Sequence, residues 1–339
     1  MVSQITSGGS HGIARRAGIK PAFALFAALG VLLAPNLAFA RIFIGQNPGA
    51  SSTPSQRLSF DVASIRQNAA GLDATSGNKP HSNFPIGSDD SYYPTGGVFS
   101  ATNLPLISYI IFAYKITTNN RDALIASVPD WVLNDGYNIE ARTEVKNVTK
   151  DQMRLMMQSL LTDRFKLSAH HEERKVPVFA AVLEHPGKLG PQLRAHSPQG
   201  PCPPNNPAEP LTLSVGAAPA ADSAGFPAVC GGFANYMRPN APYHRRFGGG
   251  NVTLATIVSS FSGLGQLGRP VVDQTGLAGG YDFFLDYLPD PPPAKELPPD
   301  ASGPDFVDAV KSQLGIQLLR QKSNIDYVIV DHVERPSPN

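Results

Sequence analysis

Two stretches decide the fold: "SATNLPLISYIIF" over residues 100–112 and "GGNVTLATIVSSF" over residues 249–261. Asn103, Leu106 and Ile110 in the first stand at the same spacing as Asn251, Leu254 and Val258 in the second. The offset is 148 residues, and it also brings Phe99 onto Phe247. Each stretch opens as a short strand and continues with apolar residues at helical spacing, 106, 107, 110, 111 and 114 in the first copy. Pro105 suits a first helical turn, where its missing N–H costs nothing.

The match continues outward. At an offset of 144, Gly280-Tyr281-Asp282-Phe283 aligns with Gly136-Tyr137-Asn138-Ile139, an alternating strand. Thr149 with Gln152 forms a capping box ahead of a helix carrying Met153, Met156, Met157 and Leu160. In the second copy Ser302-Gly303-Pro304-Asp305 opens the corresponding helix. Residues 165–167 and 176–183 read as a hairpin around the charged run 170–175. Ile316-Gln317-Leu318 and residues 325–333 read as its counterpart. The expected class is therefore α+β, in two similar halves of strand, helix, strand, helix, strand, strand, with small mixed sheets covered by helices. Drifting offsets are what unequal loops between copies produce.

The remaining chain falls around these halves. Residues 1–40 read as an export signal. Arg15, Arg16 and Lys20 form a basic start, 23–34 an apolar run too short for a membrane span, and Ala38-Phe39-Ala40 a small-x-small cleavage site. The arginine pair also fits a twin-arginine route, although Gly18 sits where that signal prefers a bulky apolar residue, so the route stays open. Residues 41–58 read as a linker, 59–188 as the first half, 189–245 as a Pro- and Gly-rich connection, and 246–336 as the second half. "PDPPPAKELPPD" over 289–300 reads as a polyproline-like spacer.

Composition narrows the function classes. The chain has 339 residues, 28 Lys and Arg, and 27 Asp and Glu. Removing the signal takes three bases and no acid, leaving 25 against 27. Near-neutral charge without a basic cluster argues against a nucleic-acid partner. No later stretch is long and apolar enough to span a membrane as a helix. The two cysteines, Cys202 and Cys230, bracket a segment with little capacity to hold itself together, and an even count in an exported chain predicts a disulfide between them.

Few residues point to chemistry. Gly8-Gly9-Ser10-His11-Gly12 fits a nucleophile elbow by letters but lies in the signal. Gly263 to Gly268 fits a dinucleotide fingerprint, yet follows a helix instead of opening one, so helix termination explains it better. His170-His171-Glu172-Glu173 alternates faces on a strand, which allows two metal ligands at most per face. Arg269 to Leu277 reads as a tight turn built on Asp273 and Gly276. Asn147 and Asn251 begin sequons whose threonines are better explained as helix caps, and Trp131 with Tyr137 reads as core. No catalytic, cofactor-binding or metal residue emerges.

Six blocks in order carry a family resemblance: "FDVASIRQN" (60–68), "ATNLPLISYIIFAY" (101–114), "VPDWVLNDGYNIEA" (128–141), 151–183, "GRPVVDQTGLAGGYDF" (268–283) and "VIVDHVERPSPN" (328–339). The chain resembles the uncharacterised, soil-associated exported proteins of acidobacteria, carried as a domain of unknown function. A related domain is appended to antibiotic-sensing membrane metallopeptidases similar to the beta-lactam regulator, which implies an extracytoplasmic sensing or binding role. Each half is also similar in element order to the short N-terminal domain of secretins and TonB-dependent receptors. The resemblance implies no catalytic residue.

The expectation is a periplasmic or secreted, non-catalytic module that binds a small ligand, a peptide or an envelope protein in a groove between its halves. The rival is an envelope hydrolase using carboxylates such as Asp61, Asp273 and Asp282. A third reading is an assembly element of an envelope machine, which requires an apolar patch or a free sheet edge.

Overall fold

The computed structural model describes residues 57–68, 71–72, 79–92, 94–197, 218–238, 241, 243–289 and 302–336. The stretch read as an export signal, most of that read as a linker, Cys202 and nearly all of the polyproline-like run lie outside these residues. The fold is α+β, built from small sheets covered by short helices.

In the first half, β1 (Val62–Gln67), β2 (His81–Ser82), β3 (Val98–Pro105) and β4 (Gly136–Arg142) form an antiparallel sheet in the order β1-β4-β3-β2. Helix α1 (Leu106–Ala113) follows β3 directly, and α2 (Arg121–Ala126) and α3 (Asp130–Asn134) lead to β4. Helix α4 (Lys150–Phe165) opens on the expected capping box, with Thr149 and Gln152 satisfying each other's backbone N–H groups. Its buried Met153, Met156, Met157 and Leu161 pack with Phe99, Ile110 and Phe112 of β3 and α1 in one core.

The second half repeats this plan. Strands β6 (Leu193–Ala195), β7 (Ala234–Met237), β8 (Arg245–Thr253) and β10 (Gly280–Tyr287) form an antiparallel sheet in the order β6-β10-β8-β7, with α5 (Leu254–Leu264) directly after β8. Helix α6 (Phe306–Ala309) is capped by Asp305 and continues as a π-helical turn, Val310–Leu314. Strands β6 and β7 come from residues 189–245, so the stretch read as a connection supplies both outer strands of this sheet. Between α5 and β10 the second half has a strand, β9 (Val271–Asp273), where the first half has α2 and α3.

The answering asparagines share one geometry. Asn103 and Asn251 both sit at φ 53°, in the left-handed region that short polar side chains tolerate. The Asn103 N–H donates to Asn138 Oδ1 at 2.8 Å, and the Asn251 N–H to Asp282 Oδ1 at 3.1 Å. Asn68 and His196 close the sets from the neighbouring strands, their N–H groups donating to the carbonyls of Gly136 and Gly280.

The closing hairpins are not formed. Instead β5 (Ser168–Leu183) and β11 (Ile316–His332) are single long strands that pair with each other, from Ile316 opposite Leu183 to His332 opposite Ser168. The charged run 170–175 lies in mid-strand and faces solvent. No glycine or Asn-Gly pair interrupts residues 168–183, so nothing there supplies a turn. Pro177 is tolerated because its missing N–H points outward. Phe179, two residues on, donates from the same edge to Pro270. The strands cross between the halves: Val328 and Val330 of β11 enter the first core, while Ala181 of β5 enters the second beside Ile316.

Candidate functional site

The expected groove would lie between the halves. The β5–β11 ribbon runs there, and Asn119 ties the halves by exchanging two hydrogen bonds with the backbone of Val271, at 2.8 and 3.0 Å. Two cavities stand out among the described residues. One, of about 210 Å³, lies between α5 and α6 and is largely apolar in its side chains: Leu264, Leu267, Tyr287, Leu288, Phe306 and Val307. The other, of about 320 Å³, lies at the end of α4 and is mostly charged.

This charged pocket is assembled from three elements. Helix α4 ends with Lys166 in the left-handed conformation at φ 52°, which turns the chain and places Asp163, Arg164 and Lys166 along one wall. Strand β1 supplies Ile65. The residues after β11 supply Glu334, Arg335 and Pro336. The Glu334 N–H donates to the Phe165 carbonyl at 2.7 Å, satisfying one of the groups a helix C-terminus leaves open. Val333 packs on the first core behind it.

Arg335 is held firmly. Its Nε and Nη2 donate to Asp135 Oδ2 at 3.2 and 2.9 Å, and the guanidinium lies 4.9 Å from the Trp131 ring centre. Trp131 thus supports this contact from the edge of the core, while Tyr137 beneath it is buried. Burial first, and then the Asp135 carboxylate, push the Tyr137 hydroxyl pKa up, and Arg335 partly opposes them. Arg164 donates to the Ala63 carbonyl, and Lys166 Nζ to that of Asp163. Asp163 Oδ1 pairs with Arg57 at 3.0 Å, and Glu334 Oε1 with His332 at 2.8 Å. Both carboxylates remain more than half exposed. Three cations and two carboxylates therefore meet around one hollow.

Two further charged clusters are tied up in packing. In the second half Asp282 is buried and accepts from His196 Nδ1 at 2.6 Å, Arg194 Nε at 3.3 Å and the Asn251 N–H. Arg194 also pairs with Asp222 at 2.7 Å and lies 3.7 Å over the Phe226 ring. In the first half the same positions are Asn138, Asn68 and Asn103. The bonds are alike without any charge, which marks the His196–Asp282 pair as part of the sheet. The second cluster pins residues 88–91 onto α4. Buried Lys150 reaches Asp89 at 3.2 Å, and buried Arg154 bonds the Asp89 carbonyl at 2.7 Å and Asp151 at 2.6 Å. Burial lowers the Lys150 pKa, with Asp89 opposing the shift.

The residues singled out from the sequence are scattered. Asp61 accepts from the Glu144 N–H, Asp273 closes its turn through the Thr275 N–H and hydroxyl, and Asp282 is buried in the second sheet. The three share no partner. His170 pairs with Asp331 and His171 with Asp326, and no group of three potential metal ligands occurs among the described residues. Gly265 caps the end of α5, in keeping with helix termination. Cys230 bridges to Gly250 of β8, but its expected partner Cys202 lies outside the described residues. Arg164, Lys166, Glu334 and Arg335 were not legible as a set. One signal for them exists: Lys166 stands where the second half has Gly315, at φ 71°.

A family model described as "Protein of unknown function (DUF3738)" matches residues 107–333. The chain belongs to this family. Neither the curated proteins nor the solved structures contain a match. The DUF3738 match starts inside α1 and stops one residue before Glu334. Asp163, Arg164 and Lys166 fall within it, whereas Ile65, Glu334, Arg335 and Pro336 fall outside, so the pocket combines DUF3738 residues with flanking ones.

Proposed function

We propose that the chain is a non-catalytic binding or sensing module of the cell envelope, exported through residues 1–40, and that the pocket at the end of α4 holds its ligand. The reading is carried by one observation: a hollow of about 320 Å³ lined by Arg164, Lys166, Arg335, Asp163 and Glu334. That volume is at the small end of ligand pockets. Lys166 adds support, because a left-handed backbone costs a lysine roughly 1–2 kcal/mol that a glycine would avoid. Retaining strain beside a cavity favours function over packing. Against the hydrolase reading, the pair that most resembles catalytic machinery, His196 with Asp282, has an all-amide counterpart doing the same structural work in the other half.

Calorimetric titration of residues 41–339 with small carboxylates tests the reading. Binding that disappears in Arg335→Met, with the fold intact by circular dichroism, is expected. Equal binding by Arg335→Met and the parent protein would remove the pocket as the site. Sequencing the N-terminus of protein recovered from the periplasm or medium checks export, and a start at Arg41 is expected.

A further inference from the structure

The charge pattern of the pocket also selects among ligands. Resting on the binding reading above, we infer that the ligand is a zwitterion, carrying a carboxylate and an ammonium on one small molecule, as a free amino acid or a short unblocked peptide does.

A site for a plain anion such as phosphate gathers cations and excludes acids, because like charges raise the cost of entry. Here Asp163 and Glu334 share the lining with Arg164, Lys166 and Arg335. A plain cation would meet three positive side chains. Only a ligand with both signs finds each wall favourable.

The hydrogen bonds leave the needed groups in place. Asp163 uses Oδ1 for Arg57, and Glu334 uses Oε1 for His332. Their other oxygens have no bond to a described residue, so each can accept from an ammonium. On the cationic side Lys166 commits one of three protons, to the Asp163 carbonyl. Arg335 is fixed by Asp135, through Nε and Nη2, and by Trp131, so its Nη1 is positioned before a carboxylate arrives. Ile65 and Pro336 give the hollow an apolar side that suits a short aliphatic group. A volume of about 320 Å³ holds a residue or two and no long chain.

The test is calorimetric titration of residues 41–339 with diglycine, N-acetyl-diglycine, diglycine amide and inorganic phosphate. Free diglycine is expected to bind at least about tenfold tighter than either blocked form and than phosphate. In the Asp163→Asn/Glu334→Gln double variant, free diglycine loses its advantage over its N-acetyl form, which itself binds no more weakly than to the parent protein. Both side chains are more than half exposed, so the variant keeps its fold. Amide chemical-shift changes at Lys166 and Arg335 place the ligand. N-acetyl-diglycine or phosphate binding as tightly as diglycine would overturn the zwitterion while leaving a carboxylate or anion pocket. No binding by any of the four would overturn the pocket itself.

Discussion

Asn103 lays its side-chain oxygen against Gly136 on the neighbouring strand, so closely that a Cβ on that glycine would lie 2.2 Å from it. Asn251 and Gly280 repeat the arrangement at the same 2.2 Å. Two residues that match only as letters in the sequence are thus the same structural part, used once in each sheet.

Gly136→Ala and Gly280→Ala should each destabilise the protein, by about 1–3 kcal/mol, because neither sheet has room for the added methyl. Asn103→Ala should also cost about 1–2 kcal/mol, since alanine resists the left-handed backbone, whereas Asn103→Gly should cost less. Urea unfolding monitored by circular dichroism measures all four. A harmless Gly280→Ala beside a damaging Gly136→Ala would show that the two parts are not equivalent.

Exchanging the central acceptor between halves should be asymmetric. Asn138→Asp places a carboxylate at a half-buried position where Asn68 and Asn103 donate and Arg66 stands opposite on β1, and should cost about 1 kcal/mol or less. Asp282→Asn keeps His196 and Asn251 as neighbours and leaves Arg194 its bond to Asp222, so about 1–3 kcal/mol is expected. Denaturant midpoints of the two variants settle the order.

Lys166→Gly should raise stability by roughly 0.5–1 kcal/mol, as the strained turn takes the residue already used at Gly315. The same change should weaken diglycine binding several-fold. A gain in stability without loss of binding would mean that the lysine contributes nothing to the pocket.

Alkaline unfolding follows from buried phenols. Burial pushes up the pKa values of Tyr109, Tyr114, Tyr137, Tyr236, Tyr287 and Tyr327. Raised folded values mean stability that is complete below the unfolded phenol pKa of about 10 and lost as pH climbs past it. Lys150, with its lowered pKa, acts in the opposite sense but is a single group. Tyr109→Phe should lose about 1 kcal/mol at neutral pH, because the hydroxyl donates to the Tyr137 carbonyl at 2.9 Å, and should flatten the alkaline fall. At the acid end burial opposes but does not prevent the lowering of Asp90 by Lys115 and of Asp222 by Arg194. Their contribution should be present above about pH 4 and disappear below it.

Peptide mapping without reductant should join Cys202 to Cys230. Cys230→Ser should then cost about 3–4 kcal/mol, the loop-closure estimate for a segment of this length. Two free thiols would remove the bridge.

Much of this fold was legible because period and punctuation agreed. The Asn103 and Asn251 stretches, the Thr149–Gln152 box and the alternation in β4 are local signals, and local signals survive in a single sequence. The ribbon was not, because residues 170–175 carry charges that read as a turn when they only mark a strand with solvent on it. Strands β6 and β7 were missed for being short and set among prolines and glycines. The pocket was missed for another reason. Its wall joins Asp163 to Arg335 across more than half of the chain, and nothing in either neighbourhood announces the other.

The exchange of β5 and β11 has a mechanical consequence. Each half finishes its interior with a strand rooted in its twin, like two people gripping each other's forearms, so loosening one grip slackens the other. Melting should therefore be a single event for both halves. A ligand wedged beside Glu334 would also tighten the second half, because it clamps the far end of a strand rooted there at Ile316.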